Sequence, residues 1–127
     1  MTWRMAKQKA ALELSDRQFR LYETVKNCVD QFSINSQRFG GELEKQFLKV
    51  EDEARFLDDN LQNDLETLRQ NILIVRDIDK YIARLQEQGK TSSPTELAKL
   101  GAKRDQAMNL INKFYEVGHS KFTSSRP

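Results

Sequence analysis

The sequence predicts an all-α fold, an elongated antiparallel helical bundle or hairpin of three to four helices in one domain. Along most of the 127 residues, apolar side chains recur at steps of three or four, which places them on one face of a helix. The period-two alternation that predicts a strand is absent. Two prolines and five glycines are too few for the turn every ~8–12 residues of an all-β domain.

The first helix is expected over residues 3–34. Its apolar face consists of Leu14, Leu21, Val25, Cys28 and Phe32. The segment from Ser33 to Gly41 contains serine, asparagine and a glycine pair, which lower helix propensity by roughly 0.5–1 kcal/mol per residue relative to alanine. We therefore expect a break there, with Gly40 as a left-handed C-cap.

Residues 43–85 carry the clearest helical pattern. Asp58, Asp59 and Asn60 interrupt it with good N-cap residues, and Asp59 has Gln62 three positions later, as in a capping box. The pattern favours helices over residues 42–57 and 60–87 with a tight turn at 58–60. One unbroken helix with these polar residues on its solvent face is the alternative.

The last helix has the best-marked start. Ser93-Pro94-Thr95-Glu96 provides an N-cap serine, a proline at the first helical position and a glutamate at the third. We expect a helix over residues 94–117, ended by Gly118, and a disordered polar tail over residues 119–127. Residues 1–118 would then form the single helical domain.

Residue types that carry chemistry are scarce. A single cysteine excludes an internal disulfide framework. Cys28 lies on an apolar face, which favours a buried hydrophobe, and His119 falls in the expected tail. The acidic runs lack the spacing of calcium or di-iron sites. We therefore expect no catalytic, metal or cofactor-binding residue and no enzymatic activity.

Aromatic side chains are the candidate core or interface residues, a choice that the sequence leaves open, and core filling is favoured over a cofactor site. They are Phe19, Tyr22, Phe32, Phe47, Phe56, Phe114 and Tyr115.

The net charge of +2 conceals an uneven layout. Residues 1–12 carry three bases and no acid, residues 42–66 carry nine acids and three bases, and residues 98–127 carry six bases and two acids. The last helix could pair with the acidic segment within one chain, or two chains could pair head to tail. Nucleic-acid binding is an alternative function, although the acidic segment would repel phosphate. Its candidate residues are Lys7, Lys9, Lys99, Lys103 and Arg104.

The N-terminus has the composition of a juxtamembrane segment. Trp3 is followed by Arg4, Lys7 and Lys9, and tryptophan and basic residues concentrate at the cytoplasmic end of membrane spans. This is one of two equally supported interpretations, and it implies a transmembrane segment ahead of Met1. A native start with a surface tryptophan is the alternative.

Two stretches carry a family resemblance, Arg17-Gln18-Phe19-Arg20-Leu21-Tyr22-Glu23 and Glu53-Ala54-Arg55-Phe56-Leu57-Asp58-Asp59-Asn60. Over residues 3–90 the chain resembles the cytosolic helical part of small single-span bacterial membrane proteins of uncharacterised function. It departs from them in lacking a second aromatic residue after Leu57. The resemblance implies membrane anchoring and an interaction role, and it brings no catalytic residues.

Together these observations predict a non-enzymatic helical interaction domain that acts by self-association or partner binding. We expect a homo-oligomer, with a dimer favoured. The predicted location is the cytoplasmic side of the bacterial inner membrane, and a free cytoplasmic protein is the alternative.

Overall fold

The computed structural model describes the backbone of residues 3–91 and 93–123 and the side chains of residues 16–91 and 93–116. Within these residues the chain forms four α-helices, one 3₁₀ turn and no strand. The helices are α1 (Trp3–Ile34), α2 (Gly41–Leu57), α3 (Asp59–Glu87) and α4 (Pro94–Thr123), and the 3₁₀ turn is Ser36–Arg38. The predicted all-α class is confirmed.

The four helices form an antiparallel bundle. α1 packs against α2 and α4, and α3 packs against the same two helices. Helices joined by short connections pack antiparallel, and contacts far from each connection show the same direction here. Such contacts are Cys28 with Leu43, Glu51 with Arg69 and Asp79 with Arg104.

The core fills the centre of the bundle with aliphatic residues and a few aromatic ones. Its aromatic pair is Phe39 and Phe47, both 0% exposed, whose ring centroids lie 5.7 Å apart at an interplanar angle of 81°. This edge-to-face geometry is favourable for aromatic rings. The other buried members are Leu21, Val25, Cys28, Val29, Phe32, Val50, Ala54, Leu61, Leu65, Leu68, Ile72, Val75, Ala107 and Ile111.

The break between α1 and α2 is where the sequence predicts it, but the predicted role of Gly40 is wrong. Gly40 has an extended backbone, with φ of 177°, and precedes α2. The left-handed residue is Gly41, with φ of 53°. The chain leaves α1 through the 3₁₀ turn instead, where Asn35 Oδ1 accepts a hydrogen bond from Gln37 N at 3.0 Å. Asn35 is thus the N-cap of the 3₁₀ turn, and its own N–H donates to Gln31 O at the end of α1.

A single residue, Asp58, joins α2 to α3. Its extended backbone, with φ of −164° and ψ of 121°, excludes the unbroken-helix alternative. Asp58 N donates to Ala54 O, and Asp58 Oδ1 accepts from Asn60 N at 2.9 Å. The N-cap is therefore Asp58, and the prediction of Asp59 is wrong by one residue.

α4 begins as predicted and ends later than predicted. Ser93 Oγ accepts a hydrogen bond from Glu96 N at 3.1 Å, which confirms the N-cap. The helix continues through Gly118 to Thr123, so the predicted end at Gly118 is wrong and residues 119–123 are helical. One interior glycine costs only about 1 kcal/mol relative to alanine, which does not by itself end a helix. Residues 124–127, the rest of the predicted tail, lie outside the described residues.

Candidate functional site

A groove runs between α1 and α2 on the outside of the bundle. It has a volume of about 620 Å³ and is lined from both helices. Its lining residues are Arg17, Arg20, Leu21, Thr24, Gln46, Lys49, Val50 and Glu53. We call this site the α1–α2 groove.

The helical register explains the polarity of the α1–α2 groove. Leu21 and Val50 belong to the core and are only 5% and 4% exposed, so they form a narrow apolar floor. Arg17 and Arg20 lie about one turn apart on α1, and Lys49 stands on α2 across from them. All three cations are exposed, and Glu53 is the acidic residue among the lining side chains. The groove therefore favours an anionic partner over a cationic one.

Phe56 lies at one end of the groove. A smaller cavity of about 120 Å³ there is lined by Arg17, Leu21, Glu53, Phe56 and Leu57. Phe56 is 83% exposed, although the Arg55 guanidinium carbon lies 5.5 Å from the centre of its ring. An exposed cation–π contact contributes only about 0.5–1 kcal/mol. The ring thus remains largely in water, an unusual position for a large apolar side chain.

Phe56 is not in the core, one of the two roles that the sequence leaves open for it. It follows the buried Phe47 by nine residues, about two and a half turns at 3.6 residues per turn, so the two rings point in opposite directions from α2. Of the other predicted aromatics, Phe32 and Phe47 are buried in the core and Phe19 is 38% exposed. Three more pack against the core while partly exposed, namely Tyr22, Phe114 and Tyr115.

A polar cluster joins the 3₁₀ turn to α3 and α4. Arg104 donates to both carboxylate oxygens of Asp79, at 2.7 and 3.2 Å, and Ser36 Oγ donates to Asp79 Oδ2 at 2.6 Å. Burial raises the pKa of Asp79, but the hydrogen bonds from Arg104 and Ser36 and the Arg104 charge outweigh it, so its pKa is lowered. A cavity of about 280 Å³ borders the cluster. These groups satisfy one another and connect the 3₁₀ turn to α3 and α4.

The same cluster shows which acidic residue pairs with a basic residue of α4. Arg104, one of the candidate nucleic-acid contacts, is bound to Asp79, while Lys99 and Lys103 are exposed. Asp79 lies on α3, outside the acidic segment of residues 42–66. The basic last helix therefore makes this ion pair with a carboxylate that the regional charge counts did not single out.

A second ion pair connects α2 to α3. Arg69 Nε donates to Glu51 Oε1 and Oε2 at 3.1 and 3.0 Å, and Glu51 is 5% exposed. Burial raises the pKa of Glu51, and together with the nearby charges of Glu66 and Asp52 it outweighs the opposing hydrogen bond and charge of Arg69. Glu51 belongs to the acidic run Glu51-Asp52-Glu53. The three residues differ in burial, because Glu51 is buried while Asp52 and Glu53 are exposed.

The structure also shows the surroundings of the cysteine and of the residue types that could bind a metal. Cys28 is 0% exposed, its Sγ donates weakly to Leu43 O at 3.7 Å, and burial raises its pKa to about 11, so the predicted buried hydrophobe is confirmed. Among the described residues no group of three or more His, Cys, Asp or Glu is placed to hold a metal ion. His119 lies in α4, and its side chain is outside the described set.

The predicted juxtamembrane residues fall in the first turns of α1. The backbone of Trp3, Arg4, Lys7 and Lys9 is helical, and their side chains lie outside the described residues. None of the helices, over the part of the chain that the structure describes, combines the length and hydropathy required of a membrane span.

The α1–α2 groove was not anticipated from the sequence. Arg17, Arg20 and Lys49 lie in different helices, and their proximity depends on how those helices pack.

Comparison of the chain with family models, curated proteins and solved structures gives no match. Its function must be inferred from its own residues.

Proposed function

We propose that this chain is a non-enzymatic helical interaction domain that forms a homodimer through the outer face of α2. The observation that carries the proposal is Phe56, which is 83% exposed at the end of the α1–α2 groove. A large aromatic ring in water gains free energy when another surface covers it, and aromatic residues are enriched at interfaces.

The charges around Phe56 favour a second copy of the chain as the partner. Lys45, Lys49, Asp52 and Phe56 follow one another at steps of four, three and four, so they share the outer face of α2, and all are exposed. The basic residues precede the acidic one along the helix. When two such helices meet antiparallel about a two-fold axis, the lysines of each face the acidic end of the other. A two-fold interface requires this self-complementarity.

The expected dimer is weak. A buried aromatic side chain removes about 150–250 Å² from water, so two Phe56 rings supply only part of the roughly 1,200–2,000 Å² of a stable interface. We therefore expect dissociation in the micromolar range.

The location of the domain on the cytoplasmic side of the bacterial inner membrane, which follows from the resemblance, stays a prediction.

The test is sedimentation equilibrium of the full chain and of Phe56→Ala. At about 100 μM protein, a dimer with a micromolar dissociation constant is nearly saturated. We expect the mass of a dimer for the wild type and a shift toward monomer for Phe56→Ala. Leu110→Ala is the matched control, because Leu110 is also exposed, at 45%, but lies on α4. A monomeric wild type at this concentration would refute the proposal.

Nucleic-acid binding is the second candidate. The exposed Lys99 and Lys103 support it, and the use of Arg104 by Asp79 weakens it. A salt-dependent mobility shift with DNA or RNA would favour it, because each neutralised phosphate increases the salt dependence of binding.

A further inference from the structure

The cations of the α1–α2 groove have no anionic partner in the described part of the molecule. Four salt bridges are formed there, and none of them involves Arg17, Arg20 or Lys49. By contrast, Glu51 and Asp79, which lie at the α2–α3 and α3–α4 contacts, are each paired with an arginine. An anionic surface that docked in the groove would meet three positive charges and the single negative charge of Glu53 over an apolar floor.

The corner between α2 and α3 provides such a surface. Only Asp58 separates the two helices, so the corner is short, and its Leu57 packs against the core. Phe56, Asp58 and Asp59 are all exposed there. Asp58 uses one carboxylate oxygen to cap α3, and Asp59 carries its charge into solvent. We call this element, residues 56–59, the α2–α3 corner.

The corner and the groove lie next to each other on one face of the molecule. Phe56 and Leu57 line the end of the groove whose other wall is Arg17. A two-fold axis beside this point brings the corner of each copy to the groove of the other. Both contacts then form at once, which closes the assembly at two chains.

We infer that the α1–α2 groove is the docking site for the α2–α3 corner of a second copy of this chain. Phe56 of each copy covers the apolar floor at Leu21, and Asp59 faces Arg17 and Arg20 of the other copy. This inference rests on the proposed function and specifies how the dimer is built.

The inference is tested with two charge-reversal variants of exposed residues, each measured alone and as an equimolar mixture. The variant R17E/R20E makes the groove acidic, and the variant D59R reverses the charge that the α2–α3 corner presents to it. Each variant alone places like charges opposite one another, so we expect its dimer dissociation constant to rise about tenfold or more. The mixture restores opposite charges at both contacts, and we expect a heterodimer of wild-type affinity. Circular dichroism verifies that each variant is folded.

The outcomes separate this inference from the proposed function. Wild-type dimerisation that persists in both reversed variants would refute the groove as the docking site and leave the dimer intact. A mixture that stays monomeric would refute it as well. A wild type that is monomeric and binds an acidic helical peptide would overturn both proposals and assign the groove to another protein.

If either reversed variant fails to fold, the neutral variants R17Q/R20Q and D59N replace them. Each removes attraction without introducing repulsion, so a smaller rise of the dissociation constant, about threefold, is expected. An unchanged dissociation constant in both would again refute the docking mode. Raising the salt concentration should weaken the wild-type dimer, since its ion pairs are exposed.

Discussion

The two sides of α2 differ in whether their charged side chains are buried or exposed. On the side that faces α3, Glu51 is buried and held by Arg69 through two hydrogen bonds. On the side that faces α1, Lys49 and Glu53 are exposed along a groove. A charge that loses its water requires a partner, whereas a charge that keeps its water can remain available to another molecule. The comparison indicates that the α2–α3 contact serves folding and that the α1–α2 groove is free to serve binding.

The largest expected effect compares the inner and outer aromatic residues of α2. Phe47→Ala removes a ring that is 0% exposed and packs edge-to-face on Phe39. We expect the free energy of unfolding to fall by about 3–5 kcal/mol, the usual cost of replacing a buried phenylalanine by alanine. Urea denaturation followed by circular dichroism measures it.

Phe56→Ala is the matched comparison for Phe47→Ala. Because Phe56 is 83% exposed, its removal should change the unfolding free energy by no more than about 0.5 kcal/mol at a concentration where the chain is monomeric. Equal losses in the two variants would show that the outer ring also supports the fold, and the contrast between the two faces would then be wrong.

The intermediate effect concerns the ion pair on the α3 side. Arg69→Ala leaves the buried Glu51 carboxylate without its partner, and we expect a loss of about 2 kcal/mol, reduced from the fully buried case because the Arg69 side chain is 21% exposed. Lys49→Ala, on the other side of α2, should be close to neutral. Thermal and urea unfolding of both variants measure the difference. A similar loss in Lys49→Ala would remove the distinction between the two sides.

The smallest effect is pH-dependent and concerns Asp79. Asp79→Asn keeps the shape of the side chain but removes its charge, and we expect a loss of about 1 kcal/mol at neutral pH, since the Arg104 partner is 39% exposed. The pKa of Asp79 is lowered in the folded state, so its stabilising contribution is complete above the ordinary value of 3.8 and is lost as the pH falls through the lowered pKa.

The measurement for Asp79 is the unfolding free energy of both proteins between neutral and acidic pH. The difference between wild type and Asp79→Asn should shrink as the pH drops below 3.8. A difference that is constant over the whole range would mean that the carboxylate charge is not what stabilises this contact.

Local patterns were sufficient for the elements of the fold. Ser93 caps α4 as its sequence context predicts, and the break at Asp58 follows from a cluster of polar capping residues. The predictions of helix ends are wrong where they depend on a single glycine. Gly118 does not end α4, and Gly40 is extended while Gly41 is left-handed.

The candidate site was predictable only in part. Phe56 belongs to the predicted interface or core residues, and its distance of nine positions from Phe47 is sufficient to place it on the outer face once Phe47 is known to be inside. Arg17 and Lys49 carry no comparable signal, because they are 32 positions apart in the chain. They meet at one groove only because α1 and α2 pack antiparallel.

By itself the sequence determined the helical class, the approximate position of each helix and the buried state of Cys28, because these depend on periodicity and capping between near neighbours. The tertiary structure alone decided that Glu51 is buried beside Arg69 while Glu53 is exposed, and that Arg104 is bound to Asp79. Residues of one acidic run differ in this way because burial depends on which helix packs against each face, and a residue's own neighbours in the chain do not contain that information.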